Sequence, residues 1–328
     1  MFSPRDFKAF IIEETETGTA PDYTSGALGL DIDSISIPSL SPNQVLAVKS
    51  RGGRVLHKED FFQDNQMRQI EISLSGNFHK DSATMMLMQS VMGVALNSTV
   101  ADLDLSANPT GFTGAYGTTE SNKTFSLIMN SPDSNAGRNF VFKGCLCTSF
   151  TISADAGTES GIYKYEATVV SGVSPTTNSS TVAGTGVFGS DLISLLSATT
   201  ADIYVGAIQA PVISSFNVTI ESPAVFSGFT SSGYHSFGRG SEFTVTANAS
   251  VKYDNTTKDL YHTFNAQTAP TEGNFFAIPQ PSNNCGISMP DGILTDVAFN
   301  EGDIMMLDVA MQGVSDGSSA VISLDLAS

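Results

Sequence analysis

Two stretches of the chain share one pattern of apolar and polar positions. In the first, 69–88, apolar residues occupy alternate positions up to Phe78, and polar residues fill the positions between them. Because side chains alternate faces along a strand, this pattern predicts a strand with one buried face. From Asp81 onward the methionines recur at helical spacing, and Asp81 or Ser82 can cap the first turn. The stretch therefore predicts a strand, a short turn and an amphipathic helix.

The same pattern returns in 242–261. Apolar and polar residues alternate up to Val251, and Asp254 then opens a helical stretch that carries Leu260. The interval from Asp81 to Asp254 along the chain equals the interval between the two strand patterns. A strand pattern and a helix cap that stay in register suggest an internal duplication.

Other segments repeat in the same order around these two units. Long loop-like segments precede them at 50–68 and 222–241, and hairpin patterns follow them at 144–170 and 292–311. Long loops between strands are usually functional or lie at an interface. The sequence therefore predicts a mainly β protein built from two repeated units, each with one helix.

This organisation divides the chain into four segments. The N-terminal arm carries a predicted strand at 7–14, which we expect to pack on a neighbouring subunit or on the other domain. The linker is rich in Ser, Thr, Gly and Pro and carries a short predicted helix at 190–198. The predicted boundaries are 1–26 for the arm, 27–172 for the first domain, 173–200 for the linker and 201–328 for the second domain.

Composition narrows the possible functions. The 328 residues carry a formal net charge of −18, so we expect no binding of nucleic acid through a general basic surface. Three cysteines are too few for a disulfide framework, and we interpret Cys145, Cys147 and Cys285 as buried thiols. The chain contains no run of about 18 apolar residues, so we expect no transmembrane helix.

Two short motifs match enzyme signatures without their required context. The GxGxxG string at 184–189 lies in the predicted linker, without the βαβ unit of a dinucleotide site. The GxSxG string at 313–317 is followed by only 11 residues, none of them histidine. We therefore predict no enzyme activity and no catalytic, cofactor-binding or metal-binding residues.

The polar faces of the predicted strands are the more informative feature. Their side chains are short, and they are polar or acidic. One interpretation is a solvated outer face of an antiparallel sheet. The other is the wall of a pore through which a polyanion slides, since such side chains offer no Arg or Lys to arrest phosphate groups. The candidate residues are Glu71, Ser73, Ser75, Asn77, Glu166, Thr168, Thr244, Thr246, Asn248, Ser250 and Asp308.

The order of these elements resembles the tail tube proteins of tailed bacteriophages. The matching pieces are the strand-helix units, the long loops and the hairpins described above. The resemblance implies a β-sandwich or split barrel with one flanking helix in each domain. It also implies that six such domains close a ring around a DNA channel, and that the long loop contacts the next ring. Two fused domains then imply a homotrimer with pseudo-sixfold symmetry.

The resemblance implies a structural virion protein of the phage tail that is assembled in the host cytoplasm. Its partners would be further copies of itself, sheath, baseplate and terminator proteins, and DNA that passes without specific binding. No cofactor and no membrane are expected. The ring-stacking candidates are Arg51, Arg54, Lys58, Phe61, Phe62, Phe229, Tyr234 and Arg239. Two alternatives stay open, a baseplate hub or tube-initiating ring, and a β-sandwich adhesin or carbohydrate-binding module.

Overall fold

The structure is a computed structural model that describes most of the chain. The described residues are 7–36, 43–46, 61–64, 70–97, 102–105, 113–115, 123–131, 139–158, 161–173, 175–178, 182, 184–185, 193–195, 203–209, 211–230, 233–240, 243–265, 275–278, 286–315, 317 and 319–325. Within them the chain is mainly β with two helices, as predicted, and the strands do not close into a barrel.

The described residues of the first half form thirteen strands and one helix. They are β1 (Lys8–Glu13), β2 (Ala27–Leu30), β3 (Ser34–Ile35), β4 (Asn43–Leu46), β5 (Phe61–Asp64), β6 (Ile70–Asn77), α1 (Ser82–Met92), β7 (Leu103–Leu105), β8 (Thr113–Ala115), β9 (Phe125–Asn130), β10 (Asn139–Asp155), β11 (Lys164–Ser171), β12 (Thr176–Asn178) and β13 (Gly184–Thr185).

In the part of the second half that the structure describes, there are eleven strands and one helix. They are β14 (Tyr204–Val205), β15 (Ile208–Gln209), β16 (Ile213–Glu221), β17 (Ala224–Thr230), β18 (Gly233–Arg239), β19 (Thr244–Lys252), α2 (Lys258–Asn265), β20 (Phe276–Ile278), β21 (Gly286–Met289), β22 (Gly292–Glu301), β23 (Met305–Gly313) and β24 (Ile322–Asp325).

One large sheet runs through both halves. Eight of its strands lie side by side in the order β3-β6-β11-β10-β16-β19-β23-β22, and every neighbouring pair is antiparallel. The 17-residue strand β10 has two roles. Its first part pairs with β9 and β12, and its second part lies between β11 and β16. The contact between β10 and β16 therefore joins the two halves through backbone hydrogen bonds.

The two halves contribute their strands to this sheet in the same order. The first half supplies β3, β6, β11 and β10, and the second half supplies β16, β19, β23 and β22. Each half contributes a hairpin with a register shift, between Cys147 and Ser149 in one and between Leu294 and Asp296 in the other. Smaller sheets are β15-β14-β20-β21-β24-β7, β17-β18-β8 and β4-β5.

The helices predicted in the two repeated units are both present, and both follow an aspartate. Asp81 is the N-cap of α1 and accepts a hydrogen bond from the Thr84 N–H at 2.7 Å. Asp254 accepts one from the Thr257 N–H at 3.3 Å, three residues on in the same way. Helix α1 ends at Met92 and is capped by Gly93, whose left-handed backbone carries no Cβ penalty. Every residue of α1 after Ser82 is buried, so this helix lies inside the core.

The predicted arm belongs to the fold of the first half, so the expectation that it packs elsewhere is wrong. Strand β1 lies between β2 and β9 in the large sheet. The buried Glu14 follows it, and its Oε2 accepts hydrogen bonds from the Gly18 N–H at 2.8 Å and the Thr124 hydroxyl at 2.7 Å. Its Oε1 accepts from the Ser126 hydroxyl at 2.7 Å and the Gly144 N–H at 2.9 Å. Burial raises the pKa of Glu14.

Three further local predictions can be compared with the structure. Segment 222–241 is largely a two-stranded hairpin, β17–β18, and does not form the long loop we expected. Of the short helix predicted at 190–198, only 193–195 are described, and there Ser194 forms a β-bridge with Ile162. Cys145 and Cys147 are buried free thiols as predicted, while Cys285 lies outside the described residues.

Candidate functional site

The polar face of the large sheet gathers all eleven residues that the sequence singled out. Along β6 the exposure alternates strictly, with Ile70, Ile72 and Leu74 buried and the polar residues between them facing outward. Strand β19 alternates in the same way. Since neighbouring antiparallel strands keep their side chains in register, the outward residues of β6, β11, β19 and β23 lie on one surface. We call the outward side of the eight strands the polar face.

The sequence prediction missed the middle of this face. Strand β10 contributes Ser149, Thr151, Ser153 and Asp155, and β16 contributes Ser215, Asn217, Thr219 and Glu221. Both strands show the same alternation in sequence, so the signal was present. What the sequence did not show is that β10 and β16 are neighbours, which places their polar residues between the two predicted groups.

Side-chain hydrogen bonds run across the strands of the polar face. The hydroxyls of Thr151 and Thr219 lie 2.9 Å apart across the contact between the two halves. The Asn248 amide donates to the Asn217 side-chain oxygen at 2.8 Å. Cross-strand pairs of this kind stabilise a sheet and hold short side chains close to its surface. These bonds hold side chains of three strands close to the sheet, on both sides of the contact between the two halves.

Asp308 is held by two of these bonds. The Ser250 hydroxyl donates to its Oδ1 at 2.7 Å, and the Asn300 amide donates to its Oδ2 at 3.1 Å. Both donors are uncharged side chains, and Asp308 is exposed. The two bonds thus fix the position of the side chain on the surface.

The polar face carries a net negative charge. Its described strands present six acidic residues against two lysines, which gives −4 per chain; these are Glu71, Asp155, Glu166, Glu221, Asp296 and Asp308 against Lys164 and Lys252. A trough of about 510 Å³ crosses the middle of the face, with Lys164 and Asp308 in its lining. Such a surface repels a polyanion and offers few groups that could bind its phosphates.

The ring-stacking candidates lie in different parts of the chain. Phe61 and Phe62 lie on β5, and Phe229 and Tyr234 lie on the β17–β18 hairpin. The basic residues Arg51, Arg54 and Lys58 lie outside the described residues. Arg239 is buried, so its side chain contacts residues of its own chain.

Arg239 acts within the chain. Its guanidinium donates to the Ser222 carbonyl at 3.0 Å, to the Ser90 hydroxyl at 3.1 Å and to the Cys147 carbonyl. Burial lowers the pKa of Arg239 to about 10. Because Ser90 is on α1 and Cys147 on β10, this side chain ties the base of the β17–β18 hairpin to the first half. The sequence gives no sign of it, since its partners are distant along the chain.

The base of the same hairpin also makes an apolar contact. Leu146 and Val170 are buried on the side of the sheet that carries the polar face, and Ala224 and Phe226 of β17 pack against them. The hairpin therefore rises from one end of the polar face, where it is held by packing and by Arg239.

The described residues include no group of three or more His, Cys, Asp or Glu side chains placed to hold a metal ion. None of their helices has the length and apolar character needed to cross a membrane. The candidate site is therefore the extended polar face with its hairpins.

Comparison with known protein families gives a match to most of the chain. The chain matches the family model for phage tail tube proteins over residues 8–313, a range that includes both helices and all eight strands of the polar face. No curated protein matches the chain.

Proposed function

Because the chain belongs to the phage tail tube protein family, a family of structural proteins and not of enzymes, we propose that it forms stacked rings around a channel for the phage genome. In this proposal the polar face lines the channel. The β17–β18 and β4–β5 hairpins contribute to contacts between rings.

The observation that carries the proposal is the chemistry of the polar face. DNA has to pass through a tube without being held, and a wall of short hydroxyl, amide and carboxylate groups provides no cluster of cations for its phosphates. The acidic groups lie at separate points across the face, with Glu166, Glu221 and Asp308 on three different strands. Repulsion therefore acts from several sides, and no single site binds the duplex.

The internal duplication is part of the same proposal. The two halves share a strand order, a hairpin with a register shift, and a helix that begins after an aspartate, with Asp81 and Asp254 at the same place after each strand pattern. We assign one tube domain to 27–172, to which strand β1 of the arm is added, and a second to 201–328. Three chains then supply six domains, and the ring is a homotrimer with pseudo-sixfold symmetry.

The remaining partners follow from this role. The tube would contact baseplate and terminator proteins at its ends, and a sheath if the tail is contractile. A protein that starts the tube at the baseplate would share the same ring, so a hub or tube-initiating ring is the closest alternative role. Assembly would take place in the host cytoplasm, before the tail joins the virion.

Negative-stain electron microscopy of the purified protein tests the proposal. We expect filaments or stacked rings with a central hole at high protein concentration. A matched sample with Asp254→Ala keeps the polar face intact and controls for general changes in stability. A monodisperse monomer at high concentration would contradict the proposal and would favour the alternative of an adhesin or carbohydrate-binding module.

A further inference from the structure

The β17–β18 hairpin belongs to the second half of the chain but lies against the first half. Its base packs on Leu146 of β10 and Val170 of β11. Its strand β18 also pairs with β8, where Phe237 lies opposite Gly114. These partners all precede the linker in sequence. Contacts between the two halves therefore set the direction in which the hairpin leaves the sheet.

The hairpin begins where β16 separates from β10. The last pair between these strands joins Ser149 to Glu221, and the Ser222 N–H then donates to the Thr148 carbonyl at 2.8 Å. Thr148 is the extra residue at the register shift of β10. In the described strands the preceding residue, Cys147, has no partner in β16. A buried backbone group at such a point needs another partner, because leaving it unpaired is costly.

Side chains from two distant elements supply the missing partners. The Ser90 hydroxyl oxygen of α1 accepts a hydrogen bond from the Cys147 N–H at 3.1 Å. Arg239 Nη2 donates to the Cys147 carbonyl and to the same Ser90 oxygen, the latter at 3.1 Å. Its Nη1 donates to the Ser222 carbonyl at 3.0 Å. Helix α1, strand β10, the end of β16 and the hairpin thus meet at one guanidinium.

This guanidinium is buried among uncharged acceptors. Arg239 is only 6% exposed, and the three groups that it bonds are two carbonyls and a hydroxyl. Removing a cation from water costs free energy that neutral acceptors offset only in part. A planar guanidinium, however, holds several acceptors at fixed angles, which a flexible ammonium does not do. Arg239 therefore contributes more to a defined geometry at this point than an apolar side chain could.

We propose that Arg239 is a positioning residue for ring stacking, which fixes the direction of the β17–β18 hairpin relative to the polar face. This inference rests on the proposed function, in which the hairpin contacts the next ring. The bond to Ser222 closes the base of the hairpin, and the bonds to Ser90 and Cys147 attach that base to the first half. Without them the hairpin keeps its own strand pairing but tilts about its apolar base.

The variant Arg239→Met tests the proposal, since it keeps an unbranched side chain and removes all three hydrogen bonds. Rings should still form, but the protein concentration at which filaments first sediment should rise at least about tenfold, because each stacking contact must then order a mobile hairpin. Negative-stain microscopy distinguishes single rings from filaments. Arg239→Lys keeps the charge without the planar fork, so we expect a threshold closer to that of Arg239→Met than to that of the native protein.

Hydrogen exchange locates the effect. In Arg239→Met the backbone amides of β17 and β18 should exchange faster, since their attachment to the first half is weaker. The amides of β16 and β19 should exchange at the native rate, because they stay within the large sheet. A role in stability alone would instead accelerate exchange in all four strands.

The matched control is Asp254→Ala, which removes the aspartate that precedes α2. This variant should lower the free energy of unfolding through loss of the cap but leave the stacking threshold unchanged. Circular dichroism checks that each variant folds, and Arg239→Lys provides the same comparison if Arg239→Met does not fold.

The outcomes separate this inference from the proposed function. A raised threshold with faster exchange confined to β17 and β18 supports the positioning role. A native threshold in both Arg239 variants, or an equal rise in Asp254→Ala, overturns that role and leaves the proposed tube in place. A native protein that stays monomeric at high concentration overturns both.

Discussion

A cationic substitution on the polar face tests whether this surface lines the channel. The double variant Ser73→Lys with Thr246→Lys changes one exposed residue on β6 and its counterpart on β19. Both side chains point outward from the sheet, so the lysines can extend into solvent without disturbing the core. In the proposed trimer each ring gains six cations at near-equivalent positions.

The size of the effect follows from the charges of the face. The net charge of the polar face becomes less negative, from −4 to −2 per chain, and each ring presents six new ammonium groups. If each contacts one phosphate of enclosed duplex DNA, the binding constant should fall with salt at a logarithmic slope of about 5. Between 50 and 200 mM salt that slope corresponds to a loss of about a thousandfold in affinity.

The assay is sedimentation of tubes assembled in the presence of a short fluorescent duplex. We expect the lysine tubes to retain DNA at low salt and to release it as salt increases, whereas native tubes retain little at any salt. The control Ser73→Gln with Thr246→Gln has side chains of similar length without charge and should behave like the native protein. Lysine tubes that retain no DNA, or glutamine tubes that retain as much, would refute the reasoning.

Three further substitutions test the interactions that hold the face in place, by the free energy of unfolding in chemical denaturation. Glu14→Gln should lower the free energy of unfolding by about 2–3 kcal/mol. Each carboxylate oxygen of Glu14 accepts a hydrogen bond from a backbone N–H, and the NH₂ group of a glutamine cannot accept one. Gly76→Ala should lower it by about 3 kcal/mol, because a Cβ would overlap the backbone carbonyl of Asp31. Asp81→Ala should lower it by about 1 kcal/mol through loss of the α1 cap.

Each of these variants has a control with a similar chemical change. Glu13→Gln alters the neighbouring carboxylate, which lacks those four donors in the described structure, and should cost far less than Glu14→Gln. Gly302→Ala adds a methyl where the nearest atom is 3.7 Å away and should be mild. Asp81→Asn keeps an oxygen acceptor for the cap and should retain most of the stability. Equal losses in variant and control would contradict the assigned contact.

Local patterns in the sequence predicted a large part of the polar face. The alternation in Ile70–Asn77 and Thr244–Lys252 indicated which residues share a face, because the strand period is two and depends only on the chain itself. The N-cap at Asp81 could also be predicted from the sequence, because its side chain accepts a hydrogen bond from a backbone N–H only three residues further along the chain. Short stretches of sequence therefore determine which face of a strand is buried and where a helix begins.

Tertiary structure decided which strands are neighbours and which charges are buried. The pairing of β10 with β16, which completes the polar face, depends on hydrogen bonds between segments about 70 residues apart that no local period encodes. Arg239 contacts Ser90 across 149 residues, and Glu14 contacts Thr124 across 110. Their burial follows from the packing of distant segments. The sequence determined the faces of the strands, and long-range pairing alone joined those faces into one surface.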